Sequence, residues 1–175
     1  MKQGTWSVLA GCHSPVHSTL VLIAWYRLYY NWPQPWQIVC IYLHDIGHWG
    51  KDYLDNYEDK KLHGQLGANI AKRLFGQKGY NLIAGHNSYM GVERSILYEP
   101  DKLSWTFAPI LWMVSNTIFE PKLIRKGCTR RESAVMFQEA MKKNKDSGFQ
   151  EVGHEIYLKQ WGHYNNLSSI KEGKK

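Results

Sequence analysis

The amino-acid sequence predicts an all-α protein, a single compact bundle of about six to eight helices. Apolar residues recur at helical spacing along most of the chain, and no segment alternates apolar and polar residues as a strand would. The 175 residues fit one domain, and a hydrophobic content of 43% suffices for a sizeable core. We therefore expect one domain over residues 1–170 and a basic, disordered tail over residues 171–175.

The first two predicted helices flank a proline-rich break. One begins at His17, and its inward face carries apolar residues at helical spacing: Leu20, Val21, Ala24 and Leu28. Prolines at 33 and 35 interrupt the chain, and a short apolar helix follows at 36–43. The stretch 45–61 is rich in Gly, Asp and Asn, which predicts a loop.

Two further helices are predicted after this loop. The third begins near His63 and stops at Gly76, and the fourth covers roughly 80–86. The third helix is expected to turn its large apolar residues inward: Leu66, Ile70, Ala71 and Leu74.

The second half of the chain predicts three more helices. One begins near Asp101 with a stripe of Trp105, Ala108 and Trp112, and Pro109 is expected to kink it. The segment Thr129-Arg130-Arg131-Glu132 matches a capping box that opens the next helix. A final helix is expected at about 149–161.

Composition and charge narrow the class of protein. Lys and Arg number 22 against 15 Asp and Glu, and the net charge of +7 suits an anionic substrate or a nucleic acid and excludes an acidic activation segment. Three cysteines without CxxC spacing argue against a disulfide scaffold and for a reducing compartment. The apolar stretch before Cys12 is too short for a signal peptide, and the apolar run at 20–30 is too short to span a membrane. We expect a soluble, cytoplasmic protein.

Several ionisable residues are expected to face the core. His17, His63 and Asp101 each head an apolar stripe, and the adjacent pair His44-Asp45 closes another helix. A lone inward histidine is usually hydrogen-bonded to a carbonyl, but several unpaired ionisable groups would cost several kcal/mol each. A divalent metal satisfies all of them at once, because neutral imidazole and carboxylate are its natural ligands.

The spacing of His44 and His48 also imitates the HExxH helix of zinc proteases. Asp45 stands where that motif needs Glu, and Gly47 ends the helix that would aim both imidazoles. A metalloprotease is therefore disfavoured.

Together these motifs resemble the HD-domain metal-dependent phosphohydrolase superfamily. The core motifs are the segment at 43–47 (Leu-His-Asp-Ile-Gly), the upstream His-Ser with its apolar helix at 17–21, and the Asp-Lys-Leu-Ser at 101–104. The extended pattern at 44–51, Asp55, 63–68 and 85–88 is similar to small HD proteins of bacteria and phages. The resemblance covers the chain from His17 to about Trp112.

The resemblance implies a metal site and its ligands. A first ion would be held by His17, His44, Asp45 and Asp101, and a second by His63 and His86 with Asp45 bridging. Two alternatives stay open. His13 also precedes a serine, so either His13 or His17 could be the first ligand. His86 could position substrate at a one-metal site instead of binding a second ion. Mixed His and carboxylate ligands suit Mn²⁺, Fe²⁺, Co²⁺, Ni²⁺ or Zn²⁺, as one ion or two.

Residues near the ligands are candidates for substrate contacts and proton transfer. Lys51 would either bind a phosphate or lie solvated in its loop. Lys102 would either bind a phosphate or lie at the surface. Asp45 and His48 are the candidate catalytic residues, His48 as proton donor to the leaving oxygen unless it packs beside Trp49. Asp55 would hold Lys51 or a sugar hydroxyl.

Three functions follow from this set. The leading hypothesis is a metal-dependent hydrolase that cleaves a phosphate ester or anhydride of a nucleoside monophosphate or deoxynucleoside triphosphate by metal-activated hydroxide. The alternative is a two-metal phosphodiesterase on cyclic nucleotides, cyclic dinucleotides or dinucleoside polyphosphates. The third is a non-catalytic helical module that binds nucleic acid through its basic cluster: Lys122, Arg125, Lys126, Arg130 and Arg131.

Overall fold

The computed structural model describes residues 1–52, 57–87 and 90–146, with the side chains of 57–61 left out. Within these residues it contains eight α-helices and no strand, which confirms the all-α prediction. The helices are α1 Gln3–Ala10, α2 Pro15–Tyr29, α3 Pro35–Leu43, α4 Tyr57–Phe75, α5 Gln77–Ala84, α6 Tyr98–Ser104, α7 Ile110–Phe119 and α8 Arg130–Asp146. Short 3₁₀ turns lie at Ile46–His48 and Pro121–Leu123. The helix expected at 149–161 and the tail at 171–175 lie outside the described residues.

Helices α2 and α3 form as the sequence predicts, and each begins with a proline at its first position. The fixed φ of proline suits this position, where the missing N–H has no intrahelical partner. The faces of these helices join α4 and α5 in the main core, which includes Val21, Ile41, Ala68 and Ile83. This core packs α2, α3, α4 and α5 against one another.

One prediction about the first 61 residues is wrong, and one helix there was not predicted. The stretch 45–61 is not all loop, because it contains the 3₁₀ turn Ile46–His48 and the first turn of α4. Residues 58–62 are mostly good helix formers, and their propensity extends the helix upstream of His63. Helix α1 was not predicted, since its Gly, Thr, Ser and Val are weak helix formers.

The buried face of α4 also differs from the prediction. Leu66 and Leu74 are exposed, and the positions that pack inward carry small residues: Gly64, Gly67, Ala68 and Ala71. A Cβ atom on Gly67 would lie 2.2 Å from the carbonyl oxygen of Leu43, so α4 can approach α3 this closely only without a side chain there. Helix α4 ends as predicted at Gly76, whose φ is +71°.

Among the described residues the later predicted helices form, with two corrections. The fourth predicted helix is α5, which begins three residues earlier than expected, at Gln77. The helix predicted from Asp101 is two helices, α6 and α7, because the chain breaks at 105–109 and Pro109 caps α7 instead of kinking a continuous helix. The capping box before α8 is present, with Thr129 N–H donating to Glu132 and Glu132 N–H donating to the Thr129 hydroxyl.

Candidate metal centre

The six ligand residues implied by the resemblance come together at one point in the fold. They lie on five segments: His17 in α2, His44 and Asp45 at the end of α3, His63 in α4, His86 after α5, and Asp101 in α6. Five of the six are buried, and the side chain of His63 is 14% exposed. The sequence analysis named these residues as candidate ligands, and the structure gives the distances between them.

The first group of ligands is His17, His44 and Asp101. Their ligand atoms lie within 4.8 Å of one another. His17 Nε2 is 3.0 Å from Asp101 Oδ1, and His44 Nε2 is 3.7 Å from the same oxygen. Such spacings are compatible with one ion about 2.0–2.2 Å from each ligand atom.

The second group is Asp45, His63 and His86, whose ligand atoms also lie within 4.8 Å of one another. His63 Nε2 and His86 Nε2 are 2.9 Å apart. Asp45 Oδ1 lies 3.5 Å from His63 Nε2 and 3.8 Å from His86 Nε2.

Asp45, a member of the second group, also lies beside the first group because its two oxygens face different ways. While Oδ1 faces His63 and His86, Oδ2 lies 3.1 Å from His44 Nε2 and 3.5 Å from His17 Nε2. A carboxylate in this position can share its charge between two cations.

Glycines allow the backbones to approach closely enough for these contacts. A Cβ on Gly47 would lie 1.7 Å from the carbonyl oxygen of His63, so the turn that follows Asp45 rests directly on the α4 backbone. A Cβ on Gly64 would lie 3.0 Å from the His86 ring. These contacts explain why His63 and His86 can lie so close to Asp45.

The histidines keep a nitrogen lone pair for a cation. Nδ1–H of His44 donates to the Ile41 carbonyl, and Nδ1–H of His86 donates to the Ile83 carbonyl, so Nε2 is the unprotonated nitrogen of each neutral ring. His44 Nε2 is buried and has no hydrogen-bond partner among the described residues, since Asp45 Oδ2 lies outside hydrogen-bond geometry. A buried, unpaired nitrogen beside two carboxylates fits a divalent cation well.

Without a metal, protons balance the buried charges. Burial alone would raise the pKa values of Asp45 and Asp101. His44 and other histidines hold the pKa of Asp45 well below its usual range, and Lys102 with His17 and His44 does so for Asp101. Burial alone would lower the pKa of His44, but Asp45 and Asp101 outweigh it and raise this pKa to about 10. By contrast, burial and neighbouring histidines lower the pKa of His86 to about 3.

These pKa shifts predict that metal binding releases a proton. His44 is protonated at neutral pH in the metal-free protein, whereas a ligand must be neutral, so binding of the ion held by His44 should release about one proton. Raising the pH removes this competing proton, and metal affinity should rise by about tenfold per pH unit between about pH 7 and 9. Calorimetry in two buffers with different ionisation enthalpies measures the released protons. An affinity that does not change over this range would contradict the assignment of His44 as a ligand.

The predicted substrate-binding residues lie at different distances from the centre. Lys102 donates from Nζ to Asp101 Oδ2 at 2.7 Å, and the negative charge of Asp101 offsets its burial and raises the pKa of this lysine. Lys51 is half-buried, and its carbonyl accepts a hydrogen bond from Gly4 of α1. Asp55 lies outside the described residues. The predicted phosphate contacts of Lys51 and Lys102 stay predictions.

His48 lies in the 3₁₀ turn beside the second group. It is buried, and its ring stacks on the His63 ring at 4.8 Å with an interplanar angle of 10°. Burial and the neighbouring histidines lower its pKa well below the usual value, so this ring is neutral at neutral pH. The predicted role of His48 as a proton donor stays a prediction.

Three residues contribute to the site in ways the sequence did not indicate. Trp105 stacks on the His17 ring with centroids 4.7 Å apart, and Asn87 Nδ2 lies 3.4 Å from Nε2 of both His63 and His86. His13, the alternative to His17, forms a separate group with Asp45 and His48. The sequence places Asn87 in the 85–88 segment and Trp105 four residues after Asp101, but their contacts with the ligand rings depend on how the helices pack.

The fold and the site together define an all-helical protein with buried His/Asp groups that could hold a metal ion. Comparisons with protein-family models, with curated proteins and with solved structures find no match to this chain. Within the described residues, no single helix is both long and apolar enough to cross a membrane, although α1 and α2 together reach that length with a bend of 49° between them.

Proposed function

We propose that this protein is a metal-dependent phosphohydrolase that cleaves a phosphate ester or anhydride of a nucleotide. The observation that carries the proposal is the Asp45 carboxylate, whose two oxygens face two different groups of potential ligands. The order of these residues along the chain resembles the HD superfamily, which supports the same function. The net charge of +7 favours an anionic substrate.

The residues present fit a divalent transition metal better than Mg²⁺, because imidazole nitrogens outnumber carboxylates in the two groups. His17, His44 and Asp101 would hold one ion with Asp45 Oδ2, and Asp45, His63 and His86 would hold a second. When bound, such a metal lowers the pKa of water and neutralises negative charge on a phosphoryl group.

The surrounding side chains hold the ligands in fixed positions. Lys102 binds one oxygen of Asp101 and leaves the other directed at His17, while Trp105 packs against the His17 ring. Lys102 carries further N–H groups that would reach a substrate phosphate, since its side chain is 30% exposed. A neutral His48 would donate its ring N–H to the leaving oxygen as a hydrogen bond.

A nucleotide panel tests this proposal. Metal-free protein is loaded with Mn²⁺, Co²⁺ or Zn²⁺ and incubated with nucleoside monophosphates and deoxynucleoside triphosphates. We expect release of phosphate, pyrophosphate or triphosphate from at least one nucleotide, and loss of this activity in His44→Gln. If the metal-loaded protein turns over none of them, the proposal is wrong for these substrates.

The second candidate function is a two-metal phosphodiesterase. The approach of His63 and His86 to Asp45 Oδ1 favours it, because the second group is complete. Its substrates would be cyclic nucleotides, cyclic dinucleotides or dinucleoside polyphosphates. Hydrolysis of one of these that needs two ions and is lost in His63→Gln would support it, whereas a content of about one ion per chain would count against it.

A further inference from the structure

We propose that His13 and His48, together with Asp45, form a third cation-binding position beside the two groups described above. The proposal rests on the proposed metal centre through Asp45, which also belongs to the group with His63 and His86 and whose Oδ2 lies 3.1 Å from His44 Nε2. The chemical class of the ligand is a divalent transition-metal ion such as Zn²⁺ or Co²⁺, because two of the three ligands are imidazoles.

The geometry brings the three side chains together. One ligand atom from each of His13, Asp45 and His48 lies within 4.8 Å of the others. The His13 and His48 rings have centroids 3.8 Å apart and are tilted by 34°. His48 is 4% exposed, so this position lies inside the protein.

A buried carboxylate fixes the orientation of the His13 ring. The Ser7 hydroxyl donates to Glu120 Oε1, and Ser7 Oγ lies 2.6 Å from His13 Nδ1. Because a carboxylate only accepts, the hydroxyl proton points to Glu120, and Ser7 Oγ accepts the Nδ1–H of His13. His13 Nε2 therefore keeps its lone pair, as Nε2 does in His44 and His86.

This arrangement is typical of metal-ligating histidines, whose second ring nitrogen donates to a carboxylate, carbonyl or water. Here Glu120 acts through the Ser7 hydroxyl, and it is itself 5% exposed. The Cys12 backbone N–H also donates to Glu120 Oε1, at 3.2 Å. Orientation of His13 as a metal ligand would explain why the Glu120 carboxylate is buried here.

Close backbone contacts of α1 place these groups. A Cβ on Gly4 would lie 2.0 Å from the His48 carbonyl oxygen, so α1 rests directly on the 3₁₀ turn that carries His48. A Cβ on Gly11 would lie 2.9 Å from Glu120 Oε1, which leaves room for the carboxylate beside the turn before His13. Helix α1 thus links His48 on one side to His13 and Glu120 on the other.

Stepwise titration of the full metal-free chain with Co²⁺ tests the proposal, with the count of bound ions checked by elemental analysis. We expect three ions per chain in the wild type and two in His13→Gln and in His48→Gln. Ser7→Ala should keep the count but weaken the third ion by about 10–100-fold, as loss of an outer partner does. Ser115→Ala is the matched control, since its hydroxyl donates to the Trp112 carbonyl within α7, and it should bind metal as the wild type does.

The outcomes separate this proposal from the proposed function. Two ions in the wild type and still two in His13→Gln would overturn the third position and leave the two-group centre intact. A count that stays at three in His48→Gln would also overturn it and would return His48 to the role of proton donor. One ion in the wild type would overturn the third position and the two-metal reading, whereas no bound ion would contradict the metal centre itself.

Discussion

Asp45→Asn should abolish tight metal binding at both ligand groups and lower the turnover of any nucleotide substrate by on the order of 10³-fold. The amide has the shape of the carboxylate but no charge, and Asp45 supplies an oxygen to each group. A bound metal contributes several kcal/mol of charge stabilisation, and each 1.36 kcal/mol changes the rate by about tenfold. Elemental analysis and single-turnover rates measure the two effects.

The matched control for this variant is Asp52→Asn. Asp52 is an exposed aspartate that pairs with Lys2 at 3.2 Å, away from the ligand groups. It should keep both metal content and rate, because exposed ion pairs contribute little. If Asp45→Asn retains the wild-type metal content, Asp45 does not join the two groups and the proposed centre is wrong.

Gly47→Ala should lower the free energy of unfolding by about 2–3 kcal/mol, which is near the upper end of the destabilisation that overpacking causes. The added Cβ would lie 1.7 Å from the His63 carbonyl oxygen, so the turn or α4 must move. This shift would separate His63 from Asp45, and we expect the second group to lose its ion while the first retains one. A melting temperature lower by about 5–10 °C and a reduced metal count are the expected measurements.

Asn69→Ala is the control on the same helix. Asn69 is exposed and accepts a hydrogen bond from Gln65, so its replacement should change stability by no more than about 0.5 kcal/mol. If Gly47→Ala is as stable as this control and binds metal equally well, the close backbone contact does not position His63.

Residue type and helical spacing were enough to predict that five of the six side chains face the core, whereas His86 was implied only by the resemblance. His17 and Asp101 could be placed at the core because apolar residues follow them at helical spacing, and a buried ionisable group needs a partner. The resemblance, which centres on the motif around His44 and Asp45, implied His17 and Asp101 as ligands independently of this spacing. The fold class followed from the same periodicity.

Other features could not be predicted because they depend on close backbone approach. The inward face of α4 carries Gly64 and Gly67. Hydrophobic spacing predicts the buried face from large apolar residues, so it selected Leu66 and Leu74, which are exposed. Helix α1 lacks strong helix formers, and its position is set by contacts of Gly4 with a turn more than forty residues away. Glu120 lies 113 residues from Ser7 in sequence, and no local pattern connects them.

Anomalous diffraction from crystals soaked in Mn²⁺ or Zn²⁺ tests most directly whether Asp45 joins two metal positions. We predict one peak within about 2.0–2.2 Å of ligand atoms of His17, His44 and Asp101, and a second beside His63 and His86, with a different Asp45 oxygen directed at each. Peaks only at the surface, or none within the cluster at saturating metal, would contradict the account.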